Sequence, residues 1–176
     1  MNTQIFNIVN AQSNIEWVGR KVTGAHNGTI DIQSGSLTLT DGQVTAGSFV
    51  IDVASIKILD VTDPATNAQF AGHLASDDFF STDKYPEAYF EITSARGNHV
   101  TGNLTIKGIT HPVEFNITVA VNNDTLSATA KIVVDRTLYD IKFRSGNFFQ
   151  NLGDTLIYND FDLNVSLTAK AALQTA

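Results

Sequence analysis

The chain has 176 residues, a net charge of −7 and no cysteine, and its length fits a single domain over residues 1–176. The acidic balance and the absence of a basic run exclude a surface that binds nucleic acid. The absence of cysteine excludes disulfide scaffolds, thiolate metal sites and cysteine nucleophiles.

Alternation of apolar and polar residues is the first structural signal. In segment 47–53, Phe49, Ile51 and Val53 share one face, opposite Ser48 and Asp52, which is the period of a half-buried strand. Clusters of glycine, asparagine and aspartate tolerate positive φ, so we predict tight turns at 27–28, 34–35, 41–42, 97–98, 122–124 and 146–147.

One short helix interrupts the strands. Asp63 is a candidate N-cap, and Pro64 follows at the first helical position. Apolar residues then recur at helical spacing up to about Ser76, at positions 65, 68, 71 and 74. The helix lies in a long connection, and we expect it to cover one end of the fold.

Strict alternation returns in the second half of the chain, in segments 113–119, 126–132 and 161–167. A long antiparallel sheet must close or fold over to remove its exposed edges. We therefore predict an all-β fold, a sandwich or a barrel of about eight strands, with the short helix in a connection.

Large aromatic residues fall into two concentrations, one at positions 79, 80, 85, 89 and 90 and the other at 143, 148, 149 and 161. An eight-stranded barrel is just wide enough to be filled by side chains or to hold one slender ligand. These patterns leave a filled core and a ligand cavity as alternatives.

Sequence motifs for catalysis are absent: there is no Gly-x-Ser-x-Gly elbow, phosphate loop, dinucleotide fingerprint or His-Glu-x-x-His pair. The histidines, at positions 26, 73, 99 and 111, have no second ligand at metal-binding spacing. We predict no metal site.

Two polar side chains are candidates for contact with a ligand head group. His73 lies near the end of the predicted helix, where it would meet either a head group or the last helical carbonyls. Arg136 follows a strand end, where it would reach an anionic head group or form a surface ion pair. Asp77 or Asp78 beside His73 would be needed for acid–base chemistry, although a turn or cap is the simpler role for two adjacent aspartates.

Several segments together resemble the YceI-like family of lipocalin-like, polyisoprenoid-binding proteins. The matching segments are 53–56, 73–80, 84–88, 90–93 and the Gly-x-Leu-Thr hairpin of 102–113. The resemblance runs from about Ile15 to Leu167. Ile58 departs from the threonine that is frequent in the family, and 138–140 departs from its Asp-Phe-Gly.

The resemblance implies an extended antiparallel barrel of the lipocalin type, with an elongated apolar tunnel and no catalytic residues. It implies non-catalytic binding of a long isoprenoid lipid, of the polyprenyl or isoprenoid-quinone type, for transport, storage or stress protection. It also implies frequent dimerisation, and no cofactor beyond the bound lipid or quinone.

We predict the ligand-lining residues from inward alternation: Phe49, Ile51, Phe90, Ile92, Leu104, Ile106, Phe115, Ile117, Ile132, Val134, Phe161 and Leu163. Four aromatic residues are predicted to close the ends: Phe79, Phe80, Phe148 and Phe149. The competing interpretations are a lipid-modifying hydrolase or isomerase in the same barrel and a protein-interaction module with a filled core.

The first residues lack the basic and apolar regions of a signal peptide, and no later segment is long enough to span a bilayer. We expect a periplasmic or secreted protein if Met1 opens a mature chain, and a cytoplasmic one if Met1 is the native start.

Overall fold

A computed structural model describes residues 3–21, 24–76, 79–141 and 157–172. These residues form β1 (Thr3–Ile8), β2 (Asn14–Lys21), β3 (Gly24–Thr40), β4 (Gln43–Ile58), α1 (Pro64–Ala75), β5 (Glu87–Arg96), β6 (His99–Ile106), β7 (Ile109–Asn122), β8 (Thr125–Asp135) and β9 (Ile157–Ala171). Two short 3-10 helices lie at Asn10–Gln12 and Arg136–Tyr139.

The described strands close into an antiparallel barrel that has eight strand positions around its circumference, because β1 and β2 occupy the same position one after the other. Consecutive strands from β2 to β9 pair in order, and β2 pairs with β9 to close the ring. The strand β1 also lies between β3 and β9, so it continues the line of β2 beyond the 3-10 turn. The predicted all-β, lipocalin-like barrel of about eight strands is confirmed, with one position shared by two strands.

Alternation determines which side chains enter the barrel. In β6, Val100, Gly102, Leu104 and Ile106 are buried while the residues between them are not. The alternating apolar side chains of the predicted strands 47–53, 113–119, 126–132 and 161–167 likewise belong to the core or pack against it. In 161–167 the intervening Asp162 is also buried, against Arg20. Each of these four predictions is confirmed because a half-buried sheet requires a period of two.

Three predicted turns form as expected, and two predictions are wrong. Positive φ occurs at Asp41, Gly42, Gly97 and Asn123, in the hairpins at 41–42, 97–98 and 122–124. The pairs at 27–28 and 34–35 instead lie inside β3, where their glycines allow close packing. The pair at 146–147 lies outside the described residues.

The predicted helix is confirmed with its caps. The Asp63 carboxylate accepts a hydrogen bond from the Thr66 backbone N–H at 3.0 Å, and Ser76 N–H donates to the His73 carbonyl at 3.1 Å. The Asn67 side chain fixes the start of α1 by donating to the carbonyls of Ile58 and Val61. In the described part of the chain, no helix has the length and apolar character needed to span a membrane.

The two ends of the barrel differ. The end that carries the 41–42, 97–98 and 123–124 turns is filled by apolar side chains that are at most 6 % exposed: Phe6, Leu39, Val44, Val100, Leu126 and Ala169. The other end carries α1 and the connection after β8. We call these the packed end and the helix end.

Candidate ligand-binding cavity

A cavity of about 710 Å³ extends into the barrel from the helix end. Its size lies within the range of about 300–1,000 Å³ that is typical of small-molecule sites. The wall is formed mainly by apolar side chains from β2 to β9, and α1 contributes Thr66, Gln69, Phe70, His73 and Leu74. The described residues therefore do not form a barrel filled by side chains.

Most of the predicted lining residues meet in this cavity. Those that line it are Phe49, Ile51, Phe79, Phe80, Phe90, Ile92, Leu104, Ile106, Phe115, Ile117, Ile132, Phe161 and Leu163. Val134 is an exception: it is 1 % exposed and belongs to the packed core without lining the cavity. Phe148 and Phe149 lie outside the described residues.

Alternation alone places Val134 among the residues predicted to line the cavity. It shares the inward face of β8 with Ile132, but it lies next to the 3-10 helix whose Tyr139 is also buried. Alternation shows that a side chain points inward, whereas its neighbours decide whether it meets a void or another side chain.

Sequence reasoning missed the cavity residues of β2 and β3. Ile15, Trp17 and Gly19 on β2 and Ile30 and Ile32 on β3 all line the cavity. Their period-two spacing was a usable signal. Phe70 also lines the cavity and was not predicted, because the helical spacing of positions 65, 68, 71 and 74 does not include it. Ala65 and Ala68 are in fact exposed.

An aromatic wall forms one side of the cavity. The Phe90 ring lies 6.3 Å from the Phe49 ring and 5.6 Å from the Phe115 ring, between centroids. Glycines make room for it: a Cβ at Gly102 would lie 2.4 Å from the Phe90 ring, and one at Gly35 would lie 2.5 Å from the Phe49 ring. The absence of these two side chains allows the rings to lie along the wall.

A histidine joins the barrel to α1 at the helix end. The Nδ1 atom of His26 lies 2.7 Å from an Asp60 carboxylate oxygen, and the His26 ring meets the Phe70 ring edge-on at 4.7 Å. Burial acts to raise the pKa of Asp60, but hydrogen bonds from His26 and from the Asn27 backbone outweigh it and lower the pKa. The pair therefore positions Phe70 over the cavity.

Basic side chains lie where the cavity opens. Arg20 and Lys21 both line it, and the Arg20 guanidinium donates to the Asp162 carboxylate at 2.6 Å. That hydrogen bond is the main reason that the pKa of Asp162 is lowered; burial opposes it, and the charges of Arg20 and Lys131 add to it. Asp160 also lines the cavity, so the opening carries both signs of charge.

Arg136 is buried and does not lie on the surface. It is 4 % exposed, lines the cavity and donates to the carbonyls of Ile141 at 2.8 Å and Ile157 at 3.0 Å. Burial lowers its pKa, and the charge of Asp135 acts in the opposite direction. Arg136 thus ties the connection after β8 to the start of β9.

His73 lines the cavity from α1, as a head-group contact would require. Its ring lies edge-on to the Phe79 ring, 5.0 Å away between centroids. Asp77 and Asp78, the partners needed for acid–base chemistry, lie outside the described residues. Within the described ranges, no group of three or more histidine and acidic side chains is arranged to hold a metal ion.

Comparison with known proteins identifies similar chains. A family model described as a YceI-like domain matches residues 6–169. UPF0312 proteins are 42 % identical over 78 residues in Staphylococcus aureus and 39 % identical over 93 residues in Photorhabdus laumondii. These matches cover 40 % and 51 % of this chain, and in both cases 46 % of the relative. The chain thus spans about half the length of the curated relatives it matches.

Solved structures share the fold at low sequence identity. Burkholderia cenocepacia BcnA superposes with a TM-score of 0.72 at 23 % identity, over 93 % of this chain and 99 % of that protein. A polyisoprenoid binding domain from Saccharophagus degradans, implicated in plant cell wall breakdown, superposes with a TM-score of 0.70 at 16 % identity, over 95 % and 98 % of the two chains. At these identities the likeness shows the barrel architecture.

Proposed function

We propose, since this chain belongs to the YceI-like domain family, that its cavity binds the tail of an isoprenoid lipid without catalysing a reaction on it. The observation that carries the proposal is an apolar cavity of about 710 Å³ in the centre of a closed barrel. The polyisoprenoid binding domain that shares this fold supports the choice of lipid.

The energy of burying a tail is sufficient for useful affinity. Each methylene-sized unit contributes about 0.8 kcal/mol, so roughly ten units contribute about 8 kcal/mol. Loss of translational and rotational freedom costs about 4 kcal/mol or more. The remainder is favourable before any polar contact is made.

The head group stays at the helix end in this proposal. The polar lining side chains lie there: Arg20, Lys21, His26, Thr66, Gln69, His73, Arg136 and Asp160. The wall deeper in the barrel is apolar, and a polar head group buried there without partners would lose free energy. Polyprenyl and quinone head groups both satisfy this arrangement.

A binding role agrees with how the polar side chains near the cavity are used. Arg20 bonds to Asp162, His26 to Asp60, and Arg136 to two backbone carbonyls. These bonds hold the walls and the connections of the barrel in place, and the Thr66 hydroxyl, which also lines the cavity, donates to the Asp63 carboxylate that caps α1. Transport, storage and stress protection would all use such a binder. Dimerisation and an extracytoplasmic location stay predictions.

The test is lipid retention by two matched variants. Ile132 lines the cavity, whereas its neighbour Val133 points outward and is 54 % exposed. Each is replaced by tryptophan, the proteins are incubated with geranylgeraniol, and gel-filtered samples are extracted and analysed by mass spectrometry. We expect bound prenol in wild type and Val133→Trp, and a strong loss in Ile132→Trp. Absence of prenol from the wild type, or equal retention by both variants, contradicts the proposal.

A further inference from the structure

We propose that the cavity measures the length of the tail, because it is closed at the packed end, and that it selects isoprenoids of about five units. This inference rests on the proposed function and deepens it. A tunnel open at both ends would accept a tail of any length, whereas a closed cavity holds only the length that fits.

The floor of the cavity is built from buried apolar side chains. Leu37, which is completely buried, borders the cavity together with Ile92, Ile117 and Leu167, each at most 8 % exposed. A second apolar layer lies beyond this floor, toward the packed end. Its members, such as Phe6, Val100 and Leu126, are fully buried and do not line the cavity.

The depth of the cavity follows from strand geometry. On β3 the lining extends from His26 to Leu37, which is about 36 Å along the strand at roughly 3.3 Å per residue. A strand tilt of about 40° reduces this to about 28 Å along the barrel axis. An extended chain advances about 1.2 Å per bond, so this depth accommodates about five to six isoprene units of four bonds each.

The volume is large enough for a tail of this kind. At about 710 Å³ the cavity lies well inside the range of about 300–1,000 Å³ that small-molecule sites occupy. Longer tails would have to bend back or leave carbons in water, and each exposed methylene forfeits its burial energy.

The experiment is a competition among tails of different length. The wild-type protein is incubated with an equimolar mixture of linear prenols of two to nine isoprene units, and the retained prenols are quantified by mass spectrometry after gel filtration. We expect retention to rise up to about five units, the preferred length, and to gain nothing from further units, because carbons that stay in water bury no surface. A continuous rise up to the longest prenol would refute the length limit and leave the proposed function standing. Failure to retain any prenol would refute the proposed function itself.

Two leucines provide a matched pair of variants. Leu37 and Leu126 are both completely buried, but only Leu37 borders the cavity. We expect Leu37→Ala to move the preferred length toward longer prenols, and Leu126→Ala to leave it unchanged although the protein is destabilised. An equal shift in both variants, or in neither, would refute the role of Leu37 as part of the floor.

A third variant keeps the test informative if the alanine variants fold poorly. Val165 lines the cavity on β9, two residues before Leu167. We expect Val165→Phe to fill space above the floor and to move the preferred length to shorter prenols by about one unit. An unchanged preferred prenol length in folded Val165→Phe would also contradict the proposal that the depth of the cavity limits the tail.

Discussion

Gly102 keeps the cavity open by leaving room for the Phe90 ring, and its replacement by alanine tests this packing directly. A Cβ at Gly102 would lie 2.4 Å from the ring and 2.6 Å from the Glu91 carbonyl oxygen. The backbone oxygen cannot rotate away as a side chain can, so the strands or the ring must move. Overpacking of this kind typically costs about 1–3 kcal/mol, and we expect Gly102→Ala to lie at the upper end.

Gly19 is the matched control for this substitution. It also lies on a strand and lines the cavity, but a Cβ there would meet nothing within 4 Å. Replacement of an unstrained glycine by alanine stabilises by about 0.4–1 kcal/mol, because the unfolded chain loses freedom. The two substitutions are chemically identical, and we expect them to change stability in opposite directions.

Thermal unfolding followed by circular dichroism measures both effects. For a domain of this size, 1 kcal/mol changes Tm by about 2–4 °C. We therefore expect Tm to fall by about 6–12 °C in Gly102→Ala and to rise by about 1–4 °C in Gly19→Ala. Equal Tm values for Gly102→Ala and the wild type would refute the claim that the Phe90 ring and the Glu91 carbonyl fill the space beside Gly102.

Three further substitutions test other contacts. The bond to Arg20 lowers the pKa of Asp162, so the stabilisation by this carboxylate is fully present above the ordinary aspartate pKa and is lost as pH falls through the lowered pKa. Urea unfolding should therefore show that the difference in free energy of unfolding between wild type and Asp162→Asn shrinks toward pH 2. Arg136→Met leaves the carbonyls of Ile141 and Ile157 without their donor, and we expect a loss of about 1–3 kcal/mol in the free energy of unfolding. The Tyr139 hydroxyl is buried and has no hydrogen-bond partner among the residues that the structure describes, and burial raises its pKa to about 12. Tyr139→Phe should stabilise the protein by about 1 kcal/mol and remove the tyrosine that ionises near pH 12 in an absorbance titration. The native protein should also lose stability as pH rises above about 10, the ordinary tyrosine pKa, since ionisation of Tyr139 favours the unfolded state.

Local sequence signals were sufficient for β4, β7, β8 and β9, for α1 and for much of the wall. Alternation depends only on neighbouring residues, and it predicted the strands and the inward direction of side chains such as Phe90 and Ile132. The start of α1 is equally local, because the Asp63 carboxylate caps an amide three residues away. The class of ligand that we propose came from the family resemblance.

The tertiary structure decided what each inward residue meets. The glycines at 28 and 35 resemble turn residues in the sequence, but they lie where the neighbouring strand comes too close for a Cβ. Val134 and Ile132 are equivalent in alternation, yet only Ile132 faces the void. Phe70 reaches the cavity because His26, 44 positions earlier in the sequence, packs against its ring. A void is the space left by side chains from many strands, so its position, its floor and its length depend on distant residues that no local pattern contains.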